Sequence, residues 1–262
     1  MGKKRIREQL AKTAAGTVSI SLFFLLWYIG TRGTDLGKIL PGPIEVVTAF
    51  LRSFTEPIGQ YTMIQHALFS LTRVMIAYTA ALIAGILLGL GMGRSKLIEA
   101  LFRPFYEMSR PIPPIAWISI SILWFGLGEM AKYFIIFLGA FSIITYNSFA
   151  GVGAVDPVYI GAARMLGAKN HQIFTTVILP AAVPYIFSGM QVGLSTAWAT
   201  VVAAEMVRSS EGVGWIIVCG MEVNNTTQIL VGIIAIGVIG LILAVILREI
   251  ERRLNRWNNS ET

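Results

Sequence analysis

The sequence predicts an all-helical, polytopic membrane protein, and three observations lead to this fold class. Hydrophobic residues make up 55% of the 262 positions and charged residues 13%, which is about half the charged fraction of a typical water-soluble domain. The apolar residues form long runs between clusters of charge, and a helix needs about 20 such residues to cross a bilayer. The chain therefore holds roughly five to seven spans, and we interpret residues 1–262 as a single transmembrane domain.

Six apolar segments are predicted to span the membrane. They are residues 14–30, 68–92, 113–127, 132–152, 184–207 and 228–247. The third is short because Pro111, Pro113 and Pro114 crowd its beginning, and a proline inside a helix breaks the hydrogen-bond ladder. A further helix is predicted after Pro41-Gly42-Pro43, lying at the outer interface, since its apolar and polar residues separate onto two faces.

The distribution of basic residues predicts the orientation of these spans. Fifteen lysines and arginines fall on the side of the two termini and six on the opposite side. By the positive-inside rule both termini face the cytoplasm. We attribute the formal charge of +7 to contact with anionic lipid headgroups and expect no nucleic-acid partner. The first apolar run is longer than a signal-peptide core and precedes no cleavage motif, so we interpret it as a retained span.

The residues that support enzymatic chemistry are scarce. The single cysteine, Cys219, and the two histidines, His66 and His171, provide neither a disulfide framework nor a metal-binding cluster. The sequence contains no Walker A motif, so ATP hydrolysis by this chain is not expected. We therefore predict no catalytic residue, no metal site and no cofactor in the chain itself, and we expect its energy source to lie elsewhere.

Small residues recur at helical spacing in three of the predicted spans. The three groups are Gly85, Gly89 and Gly93; Gly189, Gly193 and Ala197; and Gly232, Gly237 and Gly240. Such faces allow helix backbones to approach closely in lipid. We favour packing within one subunit over a subunit interface.

A polar segment, residues 155–183, separates the fourth and fifth spans. It predicts a short helix over 157–166, stopped by Gly167-Ala168, and a second short helix over 170–177, ended by Leu179-Pro180. Long connections in compact proteins are usually functional. A short exposed helix that presents small residues is suited to docking in a groove of a partner protein.

The sequence of this segment, GAARMLGAKNHQIFTTVILP, resembles the E-A-A, three residues, G, nine residues, I-x-L-P signature of permease subunits of ATP-binding-cassette importers. Ala162, Ala163 and Gly167 match, as does the Leu179-Pro180 pair, while Val177 replaces isoleucine. Gly161 stands where the family usually has glutamate, so a salt bridge from that position to an ATPase is excluded. Residues 109–132 and 201–215 are similar in sequence to permeases of the branch that imports taurine, alkanesulfonates and nitrate.

The resemblance implies a type I importer permease fold in a bacterial inner membrane. It implies a homodimer of permease chains, two cytoplasmic ATP-binding subunits that hold ATP and Mg, and an extracytoplasmic solute-binding protein. The solute is expected to be small and anionic. Coupling to the ATPase is expected at Gly161, Ala162, Ala163, Leu166, Gly167, Ala168, Leu179 and Pro180.

The fifth span supplies the predicted translocation pathway. Gln191, Ser195 and Trp198 share one helical face, although such polar residues also form hydrogen bonds to neighbouring helices. Glu205, near the outer end, is either a gate residue or a carboxylate at the interface satisfied by Arg208 or nearby amides, and we favour the second interpretation. For Arg73 we favour a snorkelling side chain over an anion site.

Two other classes of function remain to be weighed against the permease. An ion-coupled secondary transporter is the main alternative. Such transporters usually show inverted repeats and buried ionisable residues near the bilayer midplane. The sequence shows no convincing repeat and no acid at the middle of a predicted span. A membrane enzyme would need a convergent set of acids, bases or metal ligands within the spans, which the sequence also lacks.

Overall fold

The computed structural model describes residues 2–207 and 209–254. Arg208, a predicted partner of Glu205, lies outside the described residues. The described part of the chain forms eleven α-helices. In chain order they are α1 (Gly2–Thr31), α2 (Pro43–Arg52), α3 (Met63–Arg94), α4 (Lys96–Ser109), α5 (Ile118–Phe125), α6 (Glu129–Gly153), α7 (Pro157–Met165), α8 (Asn170–Ile173), α9 (Leu179–Val207), α10 (Val213–Glu222) and α11 (Thr226–Leu254).

Five helical segments among the described residues are long and apolar enough to cross a membrane. They are Ala11–Thr31, Met63–Arg94, Glu129–Gly153, Asn170–Val207 and Thr226–Arg253. Each contains one of the predicted spans, and the all-helical, polytopic class is thereby confirmed.

The third predicted span, residues 113–127, corresponds to a shorter feature. A 3-10 turn over Pro114–Trp117 leads directly into α5, and the two contain four and eight residues. Twelve helical residues extend about 20 Å, which is less than the roughly 30 Å of the hydrocarbon core. Pro113 and Pro114 delay the start of the helix, and Gly126, at φ +74°, ends it. The count of six complete spans is therefore not confirmed.

The chain divides into two compact units, Met1–Met63 with Ile216–Ala235 and Ile64–Trp215 with Ile236–Thr262. In the first unit, the Trp27 indole N–H donates to the carbonyl oxygen of Pro41 at 3.1 Å, which ties α1 to the turn before α2. The predicted interface helix is α2. There the Thr227 hydroxyl donates to Glu45 at 2.7 Å, and Val46 is fully buried.

Helix α6 packs between α3 and α9 in the second unit, and glycines make this packing possible. A β-carbon added at Gly89 would meet the Thr145 carbonyl oxygen at 2.5 Å and the Ser148 side chain at 2.6 Å. On the other face of α6, one added at Gly189 would meet the Asn147 side chain at 2.6 Å. These small-residue faces thus serve packing within the chain, as the sequence predicted, whereas Gly237 faces open space.

The predicted helix end at Leu179-Pro180 is wrong. The helix that begins at Asn170 continues to Val207, with a π-helical turn at Phe174–Ile178 between α8 and α9. Pro180 lacks an amide hydrogen and crowds the carbonyl four residues earlier, and a wider π turn is one way for a helix to absorb such a defect. The second part of the polar segment is therefore the first part of a long helix.

Candidate functional site

Helix α7 starts from a well-defined cap. The Asp156 carboxylate accepts a hydrogen bond from the Val158 amide at 2.8 Å, and Pro157 occupies the first helical position. An aspartate at the N-cap satisfies an amide that has no partner within the helix, and proline at this position lacks the amide that would otherwise be unpaired. The local sequence therefore fixes where the exposed helix begins.

The end of α7 is a Schellman turn centred on Gly167. The Gly167 amide donates to the Arg164 carbonyl at 2.9 Å, and the Ala168 amide donates to the Ala163 carbonyl at 3.0 Å. Gly167 has φ +82°, a conformation that side chains with a β-carbon disfavour. The predicted stop at Gly167-Ala168 is confirmed, and the glycine of the signature has a backbone role.

The surface of α7 presents apolar side chains to solvent. Met165 and Leu166 are 86% and 89% exposed, and Tyr159 is 65% exposed. Ala162 is also exposed, while a β-carbon at Gly161 would meet no atom within 4 Å. Such a cluster on a short, rigid helix is typical of a surface that another protein covers.

The remaining predicted coupling residues lie where the polar segment joins the long helix. Leu179 begins α9 and Pro180 is exposed in its first turn. Just before them, the Phe174 ring lies beneath the Arg94 guanidinium, which is 5.0 Å from the ring centroid. This contact connects the polar segment to the last residue of α3.

Three of the four predicted pathway residues line one cavity. Gln191, Ser195 and Trp198 border a space of about 450 Å³ between α9 and α11. The Trp198 indole N–H donates to the Ile236 carbonyl at 3.1 Å, and the Gln191 amide donates to Glu251. The polar groups of Gln191 and Trp198 therefore bind the neighbouring helix, and a pathway role for the cavity stays a prediction.

The fourth predicted pathway residue, Glu205, does not line this cavity. Glu205 is 1% exposed, and its carboxylate accepts hydrogen bonds from Arg73 Nη1 at 2.9 Å, from the Ser70 hydroxyl at 2.8 Å and from the Gly214 amide at 2.9 Å. The structure thus satisfies Glu205 with a guanidinium, a hydroxyl and one amide.

Arg73 is the buried centre of an ionic cluster. Its guanidinium also contacts Glu129 at 2.6 Å and Glu211 at 2.8 Å, and Glu129 in turn pairs with Lys132 at 2.8 Å. The Arg73 side chain is 3% exposed. The snorkelling interpretation is therefore wrong, because a snorkelling arginine places its charge in water or among headgroups.

The cluster also fixes the loop that precedes α10. The amides of Gly212 and Val213 donate to His66 Nδ1 at 3.1 Å and to the Ser70 hydroxyl at 2.9 Å. Gly212 has φ +107°, and a β-carbon there would collide with the Glu205 carboxylate. The glycines in the stretch from 211 to 215 are needed because the backbone there passes close to the buried Glu205 side chain.

Sequence reasoning missed Ser70, Glu129 and Glu211 as partners in this cluster. One signal was available, because an arginine inside a span requires partners within the protein or near the interface. The identity of those partners was not evident, since Arg73 and Glu211 are 138 positions apart in the chain.

Known proteins resemble this chain in sequence and in fold. A family model described as "Binding-protein-dependent transport system inner membrane component" matches residues 81–257. The chain belongs to this family of transport permeases. It is accordingly a multi-pass inner-membrane transport subunit of an ABC importer and not an enzyme, and its family implies ATPase and binding-protein partners.

Curated relatives of this permease carry transport names from one branch. It is 36% identical to the taurine transport system permease protein TauC of Escherichia coli over 245 residues, covering 93% of this chain and 88% of TauC. It is 34% identical over 246 residues to the putative aliphatic sulfonates transport permease protein SsuC of Bacillus subtilis, with 94% and 88% coverage. It is 32% identical over 237 residues to the nitrate import permease protein NrtB of Synechocystis, with 88% and 86% coverage.

Solved structures give the same fold. An inward-facing MetNI methionine ABC transporter superposes with a TM-score of 0.60 at 19% identity, covering 74% of this chain and 95% of that one. An amino acid ABC transporter crystallised with histidines gives 0.61 at 20% identity, with 73% and 93% coverage. The permease therefore has the type I ABC importer fold.

Proposed function

We propose that this permease forms, as a homodimer, the translocation path of an importer for a small anionic solute, driven by two ATPase subunits that dock on α7. ATP and Mg are bound by those subunits, and an extracytoplasmic binding protein delivers the solute. The observation that carries the proposal is the exposed apolar end of α7 at Met165 and Leu166, held on a rigid turn in a family whose members serve binding-protein-dependent transport.

The contacts of the polar segment support a mechanical role for it. Its turn at Gly167 is fixed by two backbone hydrogen bonds, and Phe174 contacts Arg94 at the end of α3. A rigid element with an exposed end transmits displacement better than a flexible loop does, because packed helices shift as units. Gly161 provides no charge, so we assign docking at α7 to apolar contact and shape.

The solute class follows from the names of the relatives. TauC, SsuC and NrtB are named for taurine, aliphatic sulfonates and nitrate, and each of these compounds carries a compact anionic group. We assign the same class to this permease. The positive-inside distribution supports cytoplasmic termini, with the turn at Pro114–Trp117 and α5 together serving as the remaining, shorter crossing.

Reconstitution tests this proposal. The permease, its ATPase and its binding protein are placed in liposomes, and uptake of labelled taurine, ethanesulfonate and nitrate is measured with and without ATP. We expect ATP-dependent accumulation of at least one of these anions. The permease alone should accumulate none of them, even with a proton or sodium gradient. Accumulation by the permease alone would favour an ion-coupled secondary transporter and contradict the proposal.

Docking of the ATPase is tested separately with Leu166→Ser. Burial of a leucine at an interface contributes about 1.5–3 kcal/mol, so co-purification of the ATPase should weaken by about tenfold or more. The matched control is Leu97→Ser on α4, because Leu97 is similarly exposed at 79% but lies outside the polar segment. Equal loss of the ATPase in both variants would argue against a docking role for α7.

A further inference from the structure

A second cavity lies away from α11, where the end of α4 and the proline-rich turn meet α6. Its volume is about 400 Å³, within the range of sites for small molecules. Its apolar wall includes Ile112, Pro114, Leu138 and Phe141. None of the four residues predicted for the pathway lines this space.

Arg110 is the only charged residue among those that line the cavity. Its guanidinium lies 4.5 Å from the centroid of the Tyr146 ring, and the Tyr106 ring stacks on Tyr146 with 6.4 Å between centroids and 9° between planes. Within the described part of the chain, no carboxylate forms an ion pair with Arg110, in contrast to Arg73, which has three. The guanidinium therefore retains donors for an anion.

The neighbouring polar groups favour an anion over a cation or a neutral solute. The Tyr106 hydroxyl donates to the Ser142 carbonyl at 3.1 Å, and burial raises its pKa above the ordinary value, so the group stays neutral. Asn147 uses one amide hydrogen on the Ile143 carbonyl at 2.9 Å and has a second one to donate. No acidic side chain lines the space.

Size and wall chemistry define the ligand more closely. A volume of about 400 Å³ holds a solute of a few heavy atoms with some water. Apolar walls disfavour a multiply charged, strongly hydrated anion, whereas a monoanion with a short carbon chain can place its head against Arg110 and its chain against Ile112 and Leu138. One guanidinium also gives weak binding, which a transport path requires because the solute must leave again.

We propose that the cavity beside Arg110 is a binding site of the permease for the anionic head of its solute, with short organic sulfonates as the preferred class. The proposal rests on the function proposed above and locates the solute within the chain. The solute dwells there while the path is open, with its head group on Arg110 and the aromatic pair Tyr106–Tyr146 holding the guanidinium in place.

Direct binding tests the proposal. Saturation-transfer NMR is recorded for ethanesulfonate added to the purified permease–ATPase complex in dodecyl maltoside, without the binding protein. We expect saturation of the ethyl protons, a loss of roughly tenfold in affinity for Arg110→Gln because a charge-assisted hydrogen bond disappears, and a smaller loss for Arg110→Lys. Ethyl methyl sulfone, which is neutral, should show no Arg110-dependent signal.

The matched control is Arg32→Gln. Arg32 also lies over an aromatic ring, at 5.5 Å from the centroid of Tyr28, but it does not line this cavity, so its replacement should leave the ethanesulfonate signal unchanged. Equal signals in the wild type and Arg110→Gln, or equal losses in both variants, would overturn the site. A signal for dihexanoylphosphatidylglycerol without one for ethanesulfonate would assign the cavity to a lipid headgroup and also overturn it.

The Arg110 site and the proposed transport function can fail independently of each other. If the reconstituted importer accumulates taurine, ethanesulfonate or nitrate with ATP, while Arg110→Gln binds ethanesulfonate like the wild type, the site is wrong and the function stands. If the complete importer accumulates none of the three anions, the proposed solute class itself fails. Size-exclusion profiles identify a variant that does not fold, and Arg110→Lys then provides the comparison.

Discussion

The guanidinium of Arg73 lies 2.9 Å from the carboxylate of Glu205, and the two side chains are 3% and 0% exposed. The pair joins α3 to α9. Through Ser70 and the Gly214 amide, the same carboxylate also holds the start of α10. A buried ion pair need not stabilise a protein relative to apolar residues, but removal of one partner leaves a buried, unpaired charge and is strongly destabilising.

Replacement of Arg73 by methionine should therefore destabilise the permease severely. Methionine keeps an unbranched apolar stem but leaves Glu205, Glu129 and Glu211 without their shared cation. Breaking a buried pair costs about 3–5 kcal/mol. We expect a much lower midpoint in thermal unfolding followed by fluorescence-detected size exclusion in dodecyl maltoside.

The control for this variant is Arg103→Met on α4. Arg103 also contacts two carboxylates, those of Glu99 and Glu107, but it is exposed, and exposed pairs contribute little. Its unfolding midpoint should stay near that of the wild type. Glu205→Gln, which keeps its shape and loses one charge, should fall between the two. A midpoint for Arg73→Met equal to that of Arg103→Met would contradict the assigned role of the cluster.

Gly212→Ala should be destabilising for two reasons that can be separated. Gly212 has φ +107°, and its added β-carbon would collide with the Glu205 carboxylate. Gly126→Ala is the comparison, because Gly126 has φ +74° with no atom within 4 Å of the added carbon. Gly126 also has ψ −172°, a conformation that essentially only glycine adopts, so Gly126→Ala should cost backbone strain of about 1–3 kcal/mol, and Gly212→Ala more because of the added collision. Equal unfolding midpoints would show that the collision is relieved without cost.

The span positions and the end of α7 could be predicted from the sequence, because each depends on residues that are neighbours in the chain. Apolar runs located the five long spans because each run satisfies the length and hydropathy of a bilayer. The end of α7 was evident at Gly167, since a glycine after a short helix commonly takes a left-handed conformation. The end of α7 could therefore be located from neighbouring residues alone.

Features that depend on tertiary context could not be predicted in this way. Leu179-Pro180 was expected to end a helix, yet the chain continues through a π turn at Phe174–Ile178. Arg73 is predicted to snorkel, and no local pattern indicates its three carboxylate partners, which are distant in the sequence. The cavity at Arg110 is formed by parts of α4, α6 and α9. No local sequence pattern indicates that these three helices meet.

Gly167→Val should uncouple transport from ATP hydrolysis. A branched side chain disfavours φ +82°, so the Schellman turn opens and the apolar end of α7 moves away from its docked position. We expect normal membrane insertion, at least about tenfold slower ATP-driven uptake, and continued basal ATPase activity, measured in the proteoliposomes described above. A change of about 1.4 kcal/mol in docking is enough for that effect.

The control for this strain is Gly33→Val. Gly33 has φ +70° and open space around it, but it lies between α1 and α2, outside the polar segment. It should reproduce the backbone strain without loss of coupling. If Gly33→Val uncouples transport to the same extent, the effect of Gly167→Val is general destabilisation and not a lost docking geometry.

Gly161→Glu should be tolerated and should strengthen α7. A β-carbon at position 161 meets no atom within 4 Å, and replacing a glycine inside a helix by glutamate recovers roughly 0.5 kcal/mol of helix propensity. The variant also restores the residue that the signature carries here, which adds a charge for the ATPase. We expect equal or tighter co-purification of the ATPase, with Gly161→Ala separating helix propensity from charge. Weaker co-purification of Gly161→Glu than of Gly161→Ala would show that the ATPase surface facing this position rejects an acid.

Gly89→Val should disrupt the packing of α3 on α6, because its added carbon would lie 2.5 Å from the Thr145 carbonyl oxygen and 2.6 Å from the Ser148 side chain. Overpacking of a tight contact costs about 1–3 kcal/mol. The matched control is Gly237→Val, also in a membrane-spanning helix, where the added carbon meets nothing within 4 Å. We expect a lower unfolding midpoint for Gly89→Val alone, measured on the detergent-solubilised permease. A comparable fall for Gly237→Val would mean that Gly237 is covered in the assembled transporter. That part of the small-residue pattern would then serve an interface between subunits and not packing within the chain.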